Sequence, residues 1–559
     1  MRSFGTPARV ATVLLTAAVG VLAPGLSPLT AGAQPGSPPP GTTPGTAPLI
    51  PPPVDMSKLP TATNRPDKNY AKKVECVSRD LNNDIPLPDI PWAQKYLQLD
   101  KVHDHMRAAT NGHVGMTPTG QPIRVAVIDT GVTEHPAFGQ PVQSGGDYVK
   151  TEGKGLEDCD GHGTEVAGII GARKQDDIGF MGMAPDSQIV SIRQSSQNYQ
   201  VDDKPPPAAP PPASSGAPAP SDSQPPPSGG APESDTEEPA ESSGTAGASA
   251  SDTVPGQGNQ GRQQGGQGAG NLNTLAQAVV TAADLEGVRV INMSVDNCRP
   301  ASGGGITPEE RALQAAVRYA VNKDVVVVAA AGNTSEACKQ NSQPDPNQPI
   351  NIVSPPWFTE DVISVAAIDE TGGVAQFSVN GPWVTVAAPG TNIISLDPSK
   401  NAQMDDFANQ TMEGDQVLPI QGTSFAAPYV AGLATLIRAK FPDLNARQVM
   451  NRITSTSQHP GSRTGRDQFV GYGVINPMAA LTAVIPGEDK IGLTTPFQQQ
   501  IPAPAALPSD LPPANDGDRT PMIVALSGAA GGVVALLITL FVVHTVRRNR
   551  PAPTPQKST

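Results

Sequence analysis

The sequence predicts an α/β fold: a mainly parallel, doubly wound sheet with helices on both faces. Three observations lead there. Short apolar runs at 123–129, 188–193, 288–295, 325–331 and 362–368 are continuous rather than alternating, as strands buried on both faces are. Helical patterns lie between several of them. Pro- and Gly-rich stretches interrupt and bracket this region, so the foldable part is shorter than the chain.

The elements follow in chain order. Arg2 and Arg9 flank a basic start, 10–22 is an uncharged apolar run, and Ala31-Gly32-Ala33 is a small-x-small cleavage signal. Residues 1–33 therefore read as a secretory signal peptide. Residues 34–90 hold 13 prolines and few large apolar side chains. Such an extension cannot offset its own ordering entropy. It is expected to wrap the next domain rather than to be a removable inhibitory propeptide. Residues 91–486 form the main domain. Within it, 202–271 contains no Leu, Ile, Met, Phe, Tyr or Trp, and nine carboxylates against Lys204 and Arg262. That composition predicts a disordered acidic insertion.

Two helices are marked by pattern at 271–285 and 423–440. A third is signalled at both ends. Thr307 is an N-cap, Pro308 suits the first turn, and Glu310 completes a T-x-x-E capping box. Leu313, Ala316, Val317 and Ala320 make its inward stripe. After a Pro-rich linker (487–521), 522–543 is an uncharged apolar run long enough to cross a ~30 Å hydrocarbon core. Arg547, Arg548 and Arg550 follow it, so 544–559 is expected to be a cytoplasmic tail and the main domain extracytoplasmic. A net charge of −14 over 559 residues, without a basic stripe, argues against nucleic-acid binding.

The chemistry-bearing residues gather at strand and helix edges, where an open α/β sheet builds its sites. Asp129 ends the first strand in Asp129-Thr130-Gly131. His162 opens a helix in Gly161-His162-Gly163-Thr164. Asn333 follows the fourth apolar run in Ala331-Gly332-Asn333. Ser424 opens the last helix in Gly422-Thr423-Ser424-Phe425-Ala426-Ala427-Pro428. Acid, imidazole and hydroxyl are the parts of a nucleophilic triad. A serine hydroxyl attacks poorly until a base takes its proton, and the base needs a carboxylate to fix its tautomer. Singly, the first three motifs read better as a strand-ending turn, a capped helix entry and a tight turn, and only the motif around Ser424 stands by itself. Together and in this order they resemble the subtilisin-like (S8) serine proteases. The whole layout is similar to the mycosins, membrane-anchored subtilisin-like proteases associated with type VII secretion.

That resemblance implies a three-layer α/β/α fold and a serine endopeptidase. It implies that Asp129 orients His162, that His162 serves as base and then acid, and that Ser424 attacks. Asn333 would donate to the oxyanion, and Ser294, Val295 and Asp296 would border the substrate. The family has glycine soon after the serine at 294. Asp296-Asn297 stand here instead, and a side chain there would narrow or charge the specificity pocket. A polypeptide substrate, a membrane and a secretion complex are the implied partners, and no cofactor is. The histidines show no metal-ligand spacing, and His103 and His105 read as solvated residues of a surface helix. An extracytoplasmic domain favours disulfides. Cys298 and Cys338 follow strands expected to be neighbours, which leaves Cys76 for Cys159. A competing reading is a structural subunit that stabilises a secretion complex, with proteolysis secondary.

Overall fold

A computed structural model describes residues 49–77, 89–202 and 268–496, apart from 304, 400, 401, 404, 414, 415 and 463. It also describes the backbone of 520–548. The expected signal peptide, most of the insertion (203–267) and the tail beyond 548 lie outside the described residues.

Seven parallel strands form the central sheet. They are β1 (Arg124–Asp129), β2 (Gln143–Asp147), β3 (Gln188–Arg193), β4 (Val288–Met293), β5 (Val326–Ala330), β6 (Val362–Ile368) and β7 (Val384–Pro389). Their spatial order is β7-β6-β5-β4-β1-β3-β2. Five match the apolar runs to within two residues. The expected run 288–295 stops earlier, at Met293, where the chain leaves the sheet. The two unforeseen strands are the sheet edges. β2 reads QSGGD, with no apolar side chain to signal it.

Four helices sandwich the sheet: α1 (His162–Gly171), α2 (Leu272–Asp284), α3 (Pro308–Asn322) and α4 (Thr423–Lys440). α2 packs on α3 and α1 packs on α4, giving one pair per face. α3 has the expected capping box, Thr307 with Glu310, and its stripe Leu313, Ala316, Val317 and Ala320 is wholly buried. α2 is capped by Asn271 through a second box with Thr274. Every residue of α4 except Lys440 is buried, as befits a helix apolar all round.

One expectation fails in the helix Leu99–Ala109. Its His103 is not solvated: it is 1% exposed, and its Nε2 lies 3.1 Å from the Met183 carbonyl. Burial pushes the imidazole down to about 4, so it is neutral. Leu99, Val102, His103 and Met106 are the buried residues of this helix, so the histidine belongs to the inward stripe. His105 is half-buried and pairs with Lys440 Nζ at 2.6 Å.

The N-terminal extension runs over the domain as a belt. Gln314 of α3 donates to the Pro52 carbonyl at 2.8 Å. Asn64 Oδ1 accepts from the Asp147 amide at 2.9 Å. Tyr70–Lys72 pairs antiparallel with Ser196–Val201. Both expected disulfides are present, Cys76–Cys159 and Cys298–Cys338. The first fastens the belt three residues before His162.

The C-terminal helix Thr520–Arg548 has 29 residues. Among the described residues no helix is long and apolar enough to cross a membrane. Val533, Leu536, Leu537, Leu540 and Phe541 of this helix are exposed.

Candidate active site

The doubly wound topology reverses at β1, which has β3 on one side and β4 on the other. A crevice is expected at the carboxyl ends of such strands, and the site lies there. Asp129, the last residue of β1, is fully buried. His162 opens α1, and its Nδ1 lies 2.7 Å from Asp129 Oδ1. The same carboxylate oxygen accepts the Thr130 amide at 2.7 Å. An Nδ1–H held by the carboxylate leaves Nε2 as the basic nitrogen. Burial opposes protonation of His162, but the charge and hydrogen bond of Asp129 outweigh it and raise the imidazole above its ordinary range.

The loop before α1 is shaped by Asp158, which the sequence reading missed. Its Oδ1 accepts the Thr130 hydroxyl and the Gly161 amide, and its Oδ2 accepts the amide and hydroxyl of Thr164, all at 2.7–2.8 Å. Asp160 is fastened to Ser196 Oγ at 2.6 Å and the Gln197 amide at 2.7 Å. The pattern Asp158-Cys159-Asp160-Gly161-His162 was the available signal: two acids and a bridged cysteine ahead of a helix N-terminus. Gly163 is required by contact, because a Cβ there would fall 2.0 Å from the Gly131 carbonyl oxygen.

α4 brings the nucleophile. Ser424 is 3% exposed, in the first turn, where unpaired amides and the helix dipole favour negative charge. The Phe425 ring lies 5.0 Å from the His162 ring, so the start of α4 abuts the imidazole. Asn333 Oδ1 accepts both the amide and the hydroxyl of Thr423, each at 3.0 Å. This fixes the carboxamide with Nδ2 toward Ser424. A Cβ on Gly422 would lie 2.9 Å from Ser424 Oγ and 3.4 Å from Asn333 Nδ2, so hydroxyl and amide border the same small space.

The Ser294 side chain is used inside the fold. Its hydroxyl donates to the Ser424 carbonyl at 2.7 Å and accepts from Asn292 Nδ2 at 2.9 Å. In a regular helix that carbonyl would accept the amide four residues on, but residue 428 is proline and has none. The Ser294 hydroxyl fills the gap and ties the chain leaving β4 to the backbone of the nucleophile. Val295 and Asp296 follow, 7% and 4% exposed. Burial alone raises the Asp296 carboxyl to about 7.

The structure thus joins Asp129 to His162, sets the start of α4 against His162, and aligns Asn333 beside Ser424. An acid–imidazole pair, a hydroxyl at a helix N-terminus and a pinned amide donor are the parts of acyl transfer. Among the described residues, the group with metal-ligand spacing is Cys76, Glu157 and Cys159, and its cysteines are bridged to each other.

Comparison with known proteins agrees with this geometry. The profile of the subtilase family, peptidase family S8, matches residues 120–473. Mycosin-1 of Mycolicibacterium smegmatis is 35% identical over 512 residues, 89% of this chain and 94% of its own. The crystal structure of MycP1 from Mycobacterium smegmatis superposes with a TM-score of 0.61 at 34% identity, covering 80% of this chain and 98% of that one. A chain in the structure of an intact ESX-5 inner membrane complex is 32% identical, with a TM-score of 0.59, over 89% of this chain and all of that one.

Proposed function

The chain belongs to the subtilase family, as a serine endopeptidase of the mycosin group, and from that premise we propose that it cleaves a restricted set of polypeptides at a type VII secretion complex in the membrane. The observation that carries the catalytic reading is the short contact of His162 with Asp129 beside a nucleophile whose neighbour Thr423 pins the Asn333 amide. Ser424 Oγ attacks the scissile carbonyl while His162 Nε2 takes its proton. Asn333 Nδ2 and the Ser424 amide receive the oxyanion, where one such donor is worth ~10²–10³ in rate. His162 then protonates the leaving amine, and water releases the acyl group by the same steps in reverse.

Secretion and membrane attachment are supported by the likeness to the ESX-5 membrane-complex chain and by the uncharged run 522–543 with its following arginines. The exposed apolar side chains of the helix Thr520–Arg548 support them too. The domain would then lie outside the cytoplasm, where disulfides persist. The same likeness favours a second, structural role within the complex.

One experiment separates the roles. Ser424→Ala is expected to abolish peptidase activity and covalent labelling by a fluorophosphonate. Unchanged export of secretion substrates by that variant assigns a structural role to the fold, whereas lost export makes cleavage necessary. Substantial peptide turnover by Ser424→Ala would overturn the catalytic reading.

A further inference from the structure

α4 begins Thr423-Ser424-Phe425-Ala426-Ala427-Pro428, with one large side chain among small ones. That side chain lies against the base. Phe425 is 3% exposed, and its ring centroid is 5.0 Å from that of the His162 imidazole, with the planes tilted by 56°. This is the spacing of aromatic rings in contact. Among the described residues no other aromatic ring pairs with His162.

The imidazole has need of such a contact. The one hydrogen bond described for it joins Nδ1 to Asp129 Oδ1. A bond at one ring nitrogen fixes that edge and leaves the ring free to pivot about it, because the terminal torsion of histidine has broad minima. Gly161 and Gly163 flank His162 and offer no side chain to stop the pivot. Phe425, by contrast, is tied to the nucleophile. Its amide donates to the Gly422 carbonyl at 3.1 Å, closing a tight turn around Ser424. The Ser424 carbonyl is held from β4 by the Ser294 hydroxyl at 2.7 Å. A Cβ on Gly422 would lie 2.9 Å from Ser424 Oγ and 3.5 Å from Phe425 Cδ2, so hydroxyl and ring edge border the same space. Nucleophile and ring therefore belong to one braced turn of α4, while the base belongs to α1, and the ring is where the two meet.

We propose that Phe425 is a positioning residue, whose ring acts as the spacer that sets the tilt of the His162 imidazole toward Ser424. The inference rests on the serine-endopeptidase reading. Asp129 fixes one edge of the base and Phe425 fixes its face, so Nε2 can take the serine proton and return it to the leaving amine. A misplacement of about 1 Å in such a constellation costs ~10²-fold in rate. Returning the proton adds a second demand on the tilt. An amine must be protonated as it departs, whereas a nitrophenolate leaves as an anion.

The test uses the full-length chain and two substrates with the same acyl peptide, one an amide and one a nitrophenyl ester. For Phe425→Leu, kcat/KM is expected to fall about 10²-fold on the amide and about tenfold or less on the ester. Phe425→Met, closer to phenylalanine in volume but without a ring, should show the same selective loss. Phe425→Tyr keeps the ring and should hold the amide-to-ester ratio near that of the unaltered chain. A side chain that only filled space would lower both rates with the folded fraction and leave the ratio alone, so partial unfolding cannot imitate the expected result. An unchanged ratio in the Leu and Met variants, whether both rates fall together or neither does, would overturn the proposal, as would loss of all ester turnover in both. Absence of amide turnover by the unaltered chain would instead overturn the endopeptidase reading.

Discussion

Asn333 works through both ends of one amide. Its Oδ1 holds Thr423, and its Nδ2 faces the space beside the attacking hydroxyl. Asn333→Asp separates these tasks, because a carboxylate still accepts from Thr423 but offers no donor to the oxyanion. We expect kcat to fall by ~10²–10³ or more with little change in KM. A Tm within a few degrees of the parent would show that the scaffold survives. The pair at His162 makes a second prediction. Catalysis needs the neutral base, and Asp129 raises the imidazole above its usual ~6.5. kcat/KM for an uncharged peptide should therefore rise with pH through a midpoint above that value. The stability due to the pair has the opposite sign. The folded state favours the protonated ring, so this contribution is complete below about 6.5 and is lost as pH rises through the raised value. A rate profile with its midpoint at or below pH 6.5, or stability gained through that window, contradicts the assignment. These residues were legible as motifs, since each sits where a strand or helix ends. The hydroxyl bond of Ser294 was not legible. It follows from a proline four residues after the nucleophile, and only the fold brings β4 to that carbonyl.

The element that most governs the site is the loop entering α1. Asp158 orders its amides, Asp160 fastens it to the strand Ser196–Val201, and Cys159 between them holds the belt. Behind it, Arg193 at the end of β3 pairs with Asp147 at 2.6 Å and Glu157 at 3.0 Å, and Tyr199 donates to the same glutamate. The Cys76–Cys159 bridge closes a chain separation of 83 residues, the other bridge one of 40. Chain entropy makes each worth about 4–5 kcal/mol at most. We expect Cys76→Ser with Cys159→Ser to lower stability by about 2–5 kcal/mol and to slow turnover. Loss of the Cys298–Cys338 pair should cost a similar or slightly smaller amount. Thermal unfolding without reductant measures both. An unchanged Tm for the first pair would mean that the belt adds nothing to the domain. Elements with their own signals were legible, as α3 was from its cap and stripe. β2 was not, because an edge strand reading QSGGD has no apolar side chain and is held by its register with β3 and by the buried pair of Asp147 with Arg193. His103 was misplaced because residue type outweighed position. It lies four residues after Leu99 on the stripe that Val102 and Met106 share.

At the scale of the whole molecule, the order of Asp129, His162, Asn333 and Ser424 along the chain carried the architecture, since each marks a carboxyl-end loop of one sheet. Of how the added segments attach, the sequence displayed the Cys76–Cys159 bridge but not the small sheet beside it. Ser196–Val201 is the centre of a small three-stranded sheet, with the belt strand Tyr70–Lys72 on one side and Gly268–Ala269 on the other. Gln200 stands opposite Gly268, so the two ends of 203–267 leave the domain side by side. A segment that starts and finishes at adjacent points of one sheet can be shortened without moving its anchors. Loop length itself costs little, since each doubling adds only ~0.6 kcal/mol of closure entropy. Replacing 203–267 by a short Gly/Ser turn should therefore leave Tm within a few degrees and fluorophosphonate labelling of Ser424 at full stoichiometry. Eight of the nine carboxylates between 202 and 271, all but Asp202, would go with it, together with Lys204 and Arg262. Large acidic substrates should then gain more in kcat/KM than small neutral peptides, because the repulsion that is removed acts over about a Debye length, ~8 Å at physiological salt. The gain should shrink as salt is raised. A deletion protein that unfolds would contradict the insertion reading. One that gains equally on both substrate sizes, at all salt concentrations, would contradict the electrostatic role.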